Sequence, residues 1–182
     1  MKFTRTKIPD VILVEPDLYR DERGFLMETW HRKKFRDGGI DVDFVQDNHS
    51  HSGRHILRGL HYQIKQAQGK LVRVASGEVF DVAVDLRRSS PAFGQWVGEF
   101  LSEENKKMLW IPPGFAHGFL VTSESADLCY KCTEFYAPEY DRAIRWDDPD
   151  LAIDWPLPKG VEPILSDKDS EATLFREAEV YD

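Results

Sequence analysis

Cysteine is scarce in this chain, with only Cys129 and Cys132 in 182 residues. They form a C-x-x-C inside Leu128 to Thr133, a stretch patterned as a strand. A thioredoxin-like motif opens a helix, and a structural zinc site needs a second ligand pair, so both are read as buried free thiols. Long apolar runs are missing too, which excludes a membrane-spanning segment. Met1 to Pro9 carries charge with no hydrophobic segment behind it, so it is not a secretory signal and a cytoplasmic location is expected. Basic residues do not prevail: the formal net charge of −8 argues against a nucleic-acid partner. A small anionic ligand needs only a local pocket of cations, and Arg58, Lys70 and Arg73 begin one. Internal repeats, low-complexity linkers and sustained helical periodicity are absent as well.

What remains is an ordinary globular composition, 41% hydrophobic and 31% charged, at a length that suits one domain. Short strands separated by turns recur. Val11 to Glu15 precedes the turn Asp21-Glu22-Arg23-Gly24, and Phe25 to Trp30 follows it. His31 to Phe35 suits one helical turn ended at Gly38-Gly39, and Val42 to Asn48 alternates again. Lys70 to Ala75 leads through Ser76-Gly77 into Val79 to Leu86, where Phe80, Val82, Val84 and Leu86 share one face and Asp81 and Asp85 the other. Gly94 to Leu101, Met108 to Ile111 and Phe115 to Val121 are further strands, with Ser102 to Asn105 as a turn and Pro112-Pro113-Gly114 as a rigid one. This pattern predicts an all-β sandwich or barrel. Beyond Tyr136 the chain turns acidic and loop-like, with a short helix expected over Ser170 to Glu179.

The stretch Leu57-Arg58-Gly59-Leu60-His61-Tyr62-Gln63 organises the rest. In a regular strand Arg58 and His61 face opposite ways. A bulge at Gly59 would turn both to one side. Read singly, each polar residue has an ordinary alternative. Arg58, Lys70 and Lys168 fit solvated charges, His61 and Tyr130 fit core residues with satisfied polar atoms, and Asp81 fits either a polar site or an arginine pair. Asp43, Gln46 and Asn48 fit hydrogen-bonding or solvent-facing positions, depending on register.

Taken in order, the motifs closely resemble the dTDP-4-dehydrorhamnose 3,5-epimerase family. They are Asp21-Glu22-Arg23-Gly24 with Glu28, Gln46-Asp47-Asn48 leading to Leu57–Gln63, Gln68 to Val74 with Gly77 to Val82, and Pro112 to Phe119. Tyr130 to Thr133, Trp146 to Pro149 and Ser166-Asp167-Lys168-Asp169 continue the likeness. The resemblance implies a cupin-type jelly-roll barrel and a homodimer with exchanged N-terminal strands. It also implies inversion at C3 and C5 of dTDP-4-dehydro-6-deoxy-D-glucose on the way to dTDP-L-rhamnose. Carried over by position, His61 corresponds to the proton-abstracting base, Tyr130 to the proton donor on the opposite sugar face, Asp169 to the partner of His61, and Lys70 to the residue near the C4 oxygen. Arg23, Glu28, Gln46 and Asn48 match substrate contacts, with Arg23 reaching in from the partner subunit; so do Arg58, His117, Asp141 and Lys168. Tyr136 is similar to an aromatic that stacks on thymine. Leu26 stands where the family usually has phenylalanine, and Asp141 where it more often has glutamate.

The implied chemistry suits these residue types. Protons at C3 and C5 are alpha to the C4 ketone, so their removal collects charge on one oxygen and needs no redox cofactor. Histidine supplies a base near neutral pH, a carboxylate on its far nitrogen fixes the tautomer, and a lysine offsets the enolate charge. Rival functions are a mono-epimerase or ketoisomerase on a related sugar, a non-catalytic sugar-binding cupin, and a metal-dependent cupin. For the last, His49-Ser50-His51 has H-x-H spacing but lies in a polar run outside the patterned strands, with no glutamate close behind.

Overall fold

The computed structural model describes every residue from Met1 to Asp182. The N-terminal half contains β1 (Lys2–Arg5), β2 (Ile12–Glu15), β3 (Leu18–Asp21), β4 (Gly24–Met27), α1 (Arg32–Asp37), β5 (Gln46–Gly53), β6 (Leu57–Gln63) and β7 (Lys70–Ser76). Then come β8 (Glu78–Asp85), β9 (Trp96–Ser102), β10 (Met108–Ile111), β11 (Phe115–Val121), β12 (Ser125–Cys132), β13 (Asp141–Ala143) and α2 (Asp167–Ser170). A six-stranded antiparallel sheet runs in the order β1-β2-β10-β7-β12-β5, and a five-stranded one in the order β13-β6-β11-β8-β9. Together they make the jelly-roll sandwich expected from the pattern of short strands. No helix is long and apolar enough to cross a membrane.

The core between the sheets is built from alternate residues such as Val72, Val74, Leu109, Phe119, Val121 and Leu128. Both outer faces are covered as well. Phe80, Val82 and Val84 of β8 pack under the C-terminal segment with Leu151 and Trp155, so this strand is buried on both sides rather than half-polar. On the opposite side Leu71, Met108 and Trp110 pack against Phe35 of α1 and Ile40, with Trp30, Val42 and Phe44 around them.

Several element boundaries differ from expectation. Val42 and Phe44 pack on that outer cluster instead of pairing, and the strand begins only at Gln46. It continues through His49 and His51, which therefore lie in a strand and not in a loop. Ser170 to Glu179 is not one helix. The four-residue α2 ends at Ser170, and a 3-10 turn at Phe175–Glu177 is held where Phe175 N donates to the buried carboxylate of Asp148 at 2.8 Å.

The bulge expected at Gly59 is present. His61 pairs with His117 and Arg58 with Phe119, and the register shifts between the two pairs. Paired residues share a face, so Arg58 and His61 both point between the sheets. Glycine is required here: φ is +130°, and a Cβ would come within 2.5 Å of the Gly118 Cα.

Candidate active site

One end of the sandwich opens into a cavity of about 380 Å³ lined by both sheets. β6 contributes His61, β7 contributes Lys70, β5 contributes Gln46 and Asn48, and β12 contributes Tyr130. Tyr136, Asp141 and Lys168 stand at its mouth. His61 and Tyr130 therefore occupy opposite walls, one on each sheet.

Asp169 lies behind His61, only 3% exposed, and accepts from the ring Nε2. Nδ1 is left as the nitrogen without a protein partner. Burial alone would raise the Asp169 carboxyl, but His61, Ser166 and Lys168 more than offset it and hold the group below the usual carboxylate range. His117, facing His61 across the ladder, donates through Nε2 to Asp81 at 2.9 Å, so two histidine–aspartate pairs sit side by side in the interior. Asp81 thus joins the polar interior rather than an arginine.

Lys70 is half-buried and opens only on the cavity. Burial pushes its ammonium below the ordinary lysine range, and the nearby Cys132, Asp141 and Asp81 oppose that shift through space. Tyr130 is pushed up by burial and by the neighbouring Cys132, while Asn48, its partner across the ladder, and the charge of Arg58 pull the other way. Asn48 Nδ2 also reaches the Cys132 sulfur at 3.8 Å, and Gln46 Nε2 donates to Asn48 Oδ1 at 3.2 Å. Arg58 stays partly in solvent and donates from Nε to Ser52 Oγ at 3.0 Å.

At the mouth, Lys168 donates to Asp141 Oδ2, and the Tyr136 hydroxyl donates to the same oxygen at 3.1 Å. The side chain at position 141, shorter than the glutamate of the resemblance, is therefore already paired. Tyr136 is 55% exposed, an open aromatic face beside the entrance.

Four expected contacts do not line the cavity within one chain: Arg58 lines a separate groove beside Asp169, His117 is buried against Asp81, and Arg23 and Glu28 lie further off. Arg23 sits on the β3–β4 hairpin, which pairs only with itself, and Glu28 is engaged by Lys34. Leu26 is on the same hairpin and 66% exposed, so it forms no wall of the cavity here. Arg73 points to the outer face, opposite Cys129 and beside His49, and Arg58 lines a separate groove, so neither joins Lys70 in the expected pocket of cations. Cys129 shares that outer face and is only half-buried, whereas Cys132 is fully buried. His49 and His51 both reach Asp127 Oδ1, at 2.9 and 3.2 Å.

Some residues at the site carried no signal of their own. Gln63, 3% exposed, donates to the carbonyls of Gln66 and Phe135 and accepts from Ala137 N, which fixes the loop bearing Tyr136. Gln68 does the same at Glu134. Tyr181 returns from the chain end to donate to the Gln63 carbonyl.

Residues 5–177 match the family model described as dTDP-4-dehydrorhamnose 3,5-epimerase. A protein of that description from Pseudomonas aeruginosa is 60% identical over 182 residues, 100% of this chain and 99% of its own length. Another from Methanothermobacter thermautotrophicus is 52% identical, with 99% of this chain and 97% of that protein covered. Among solved structures, dTDP-6-deoxy-D-glucose-3,5-epimerase from Legionella pneumophila in complex with dTDP-4-keto-L-rhamnose superposes with a TM-score of 0.94 at 52% identity, covering 98% of this chain and 94% of that one.

Proposed function

Because the chain belongs to the dTDP-4-dehydrorhamnose 3,5-epimerase family, we propose that its cavity carries out the family reaction with His61 as base and Tyr130 as acid. The protein is an isomerase of dTDP-L-rhamnose biosynthesis. It epimerises C3 and C5 of dTDP-4-dehydro-6-deoxy-D-glucose to give dTDP-4-dehydro-L-rhamnose.

With the keto sugar between the two walls, His61 takes the proton alpha to the C4 ketone through Nδ1. The C–H electron pair moves into the ring and negative charge collects on the C4 oxygen. Lys70, an ammonium without a carboxylate contact, is free to meet that charge. Such electrostatic stabilisation is worth about 3 to 4 kcal/mol in comparable sites. Tyr130 gives its proton to the opposite face of the same carbon; the His61 imidazolium then loses its proton to solvent and the phenolate regains one. Repetition at the second carbon completes the change. Asp169 keeps His61 in the reactive tautomer and balances the imidazolium.

Gln46, Asn48, Asp141 and Lys168 provide polar contacts to the nucleotide sugar, Arg58 adds its charge from the neighbouring groove, Tyr136 offers a stacking face to thymine, and His117 completes the polar interior. Arg23 and Glu28 require a second copy. We propose a homodimer that exchanges N-terminal strands, with the whole chain acting as one unit in the cytoplasm. The exposed Tyr19, Phe25 and Leu26 on a hairpin joined to neither large sheet support that arrangement.

The observation that carries this reading is the meeting of His61 and Tyr130 across one cavity, with Lys70 beside them. Turnover of the keto sugar in deuterated water, followed by NMR, tests it. Deuterium at both C3 and C5 with inversion at both is the expected product. Label and inversion at one carbon alone would instead identify a mono-epimerase.

A further inference from the structure

We propose that Ser166 is a positioning residue for the reaction, its hydroxyl holding the Asp169 carboxylate in the orientation that His61 uses. This rests on the His61–Asp169 reading above. Ser166 caps α2, and its Oγ accepts from the Asp169 backbone N–H at 3.2 Å. The same hydroxyl donates to Asp169 Oδ2 at 2.9 Å. One side chain thus fixes both the backbone and the carboxylate of Asp169.

Each carboxylate oxygen has one side-chain donor: His61 on Oδ1 and Ser166 on Oδ2. Lys168, the neighbouring cation, sends its ammonium to Asp141 instead. Ser166 is in turn tied to the strand that carries His61. Ile164 N donates to the His55 carbonyl at 2.8 Å and its carbonyl accepts from Leu57 N at 3.1 Å, just before β6. Two residues beyond that anchor, the hydroxyl sets how the carboxylate meets the ring. A groove lined by Leu57, Arg58, Ser166 and Asp169 opens behind the pair, so water can wet Oδ2 when the hydroxyl is removed. Water there satisfies the oxygen without fixing its direction.

Capping and positioning can be separated. Glycine is tolerated as an N-cap nearly as well as serine, and threonine keeps both hydrogen bonds. Full-length Ser166→Ala, Ser166→Gly and Ser166→Thr proteins are compared with His61→Asn for turnover of the keto sugar in deuterated water and for thermal melting. Ser166→Ala and Ser166→Gly are expected to lower kcat about tenfold, the worth of one hydrogen bond to a charged group. KM is expected to stay within about twofold, since Ser166 touches no substrate, and Ser166→Thr to restore the rate. A Ser166→Gly enzyme with unaltered kcat would reduce Ser166 to a helix cap and overturn the proposal. So would a Ser166→Thr enzyme that melts normally yet stays slow. If His61→Asn retains full turnover, the base assignment itself fails; if it is inactive while Ser166→Gly is unaltered, only the role of Ser166 falls.

Discussion

Lys70 and Cys132 are direct partners across the ladder between β7 and β12, so the cavity ammonium faces a buried thiol rather than a carboxylate. Burial pushes that thiol up, against the pull of Lys70, and keeps it neutral. The positive charge is thus left for the substrate. Lys70→Met is expected to lower kcat about 10²- to 10³-fold, the loss typical of one oxyanion donor. Cys132→Asp gives the ammonium a permanent partner and is expected to lower kcat at least about tenfold, whereas Cys132→Ser stays near the original rate. Steady-state kinetics on the three variants decide it.

Asp169 accepts from His61 and carries a proton less readily than an ordinary aspartate. Its carboxylate form therefore persists as pH falls below the usual aspartate range. Asp169→Asn keeps the shape but loses the charge and the tautomer control, and kcat is expected to fall by up to about 10⁴-fold with little change in KM. A rate within a few-fold of the original would remove Asp169 from the mechanism.

Arg23 is 85% exposed at its side chain and bonded only to Asp21, on a hairpin that leaves Phe25 and Leu26 in solvent. If that hairpin enters a second copy, Arg23→Ala raises KM about tenfold or more while kcat changes little. Sedimentation should give a dimer for both proteins. A fully active monomer contradicts strand exchange.

The chain end is held by two phenols, Tyr62 donating to the Glu179 carbonyl and Tyr181 to that of Gln63. Burial raises Tyr62 from the ordinary 10.0 to about 12, and Tyr181 is raised as well. Folding thus favours the neutral phenols. This stabilisation is present in full below pH 10 and is lost as pH rises toward 12. Thermal melting across that range should show a steep alkaline decline, shallower in Tyr62→Phe, which starts about 1 kcal/mol less stable at neutral pH from the lost hydrogen bond.

Strands were legible wherever one face is apolar, as in β7, β8 and β11, and the Gly59 bulge was legible because a polar residue on each side needed the same face. Alternation misleads where a segment packs without pairing. Val42 and Phe44 alternate like a strand, yet they lie on the Trp30–Phe35 cluster. It is equally silent about which layer covers a face, so β8 reads as half-polar although the C-terminal segment buries its second side. Of the site, the residue types were readable and their meeting was not. His61 and Asp169 are 108 positions apart. Ser166 had no periodicity to mark it, and Arg73 looked like a partner of Lys70 until the pleat turned it outward.

The central claim is that proton removal and proton return belong to different walls of one cavity. The most direct test separates exchange from inversion by NMR in deuterated water, using His61→Asn and Tyr130→Phe. The account predicts that Tyr130→Phe exchanges the protons alpha to the ketone without inverting the carbon, and that His61→Asn does neither. Inverted product from Tyr130→Phe at the original rate, or continued exchange by His61→Asn, would contradict it.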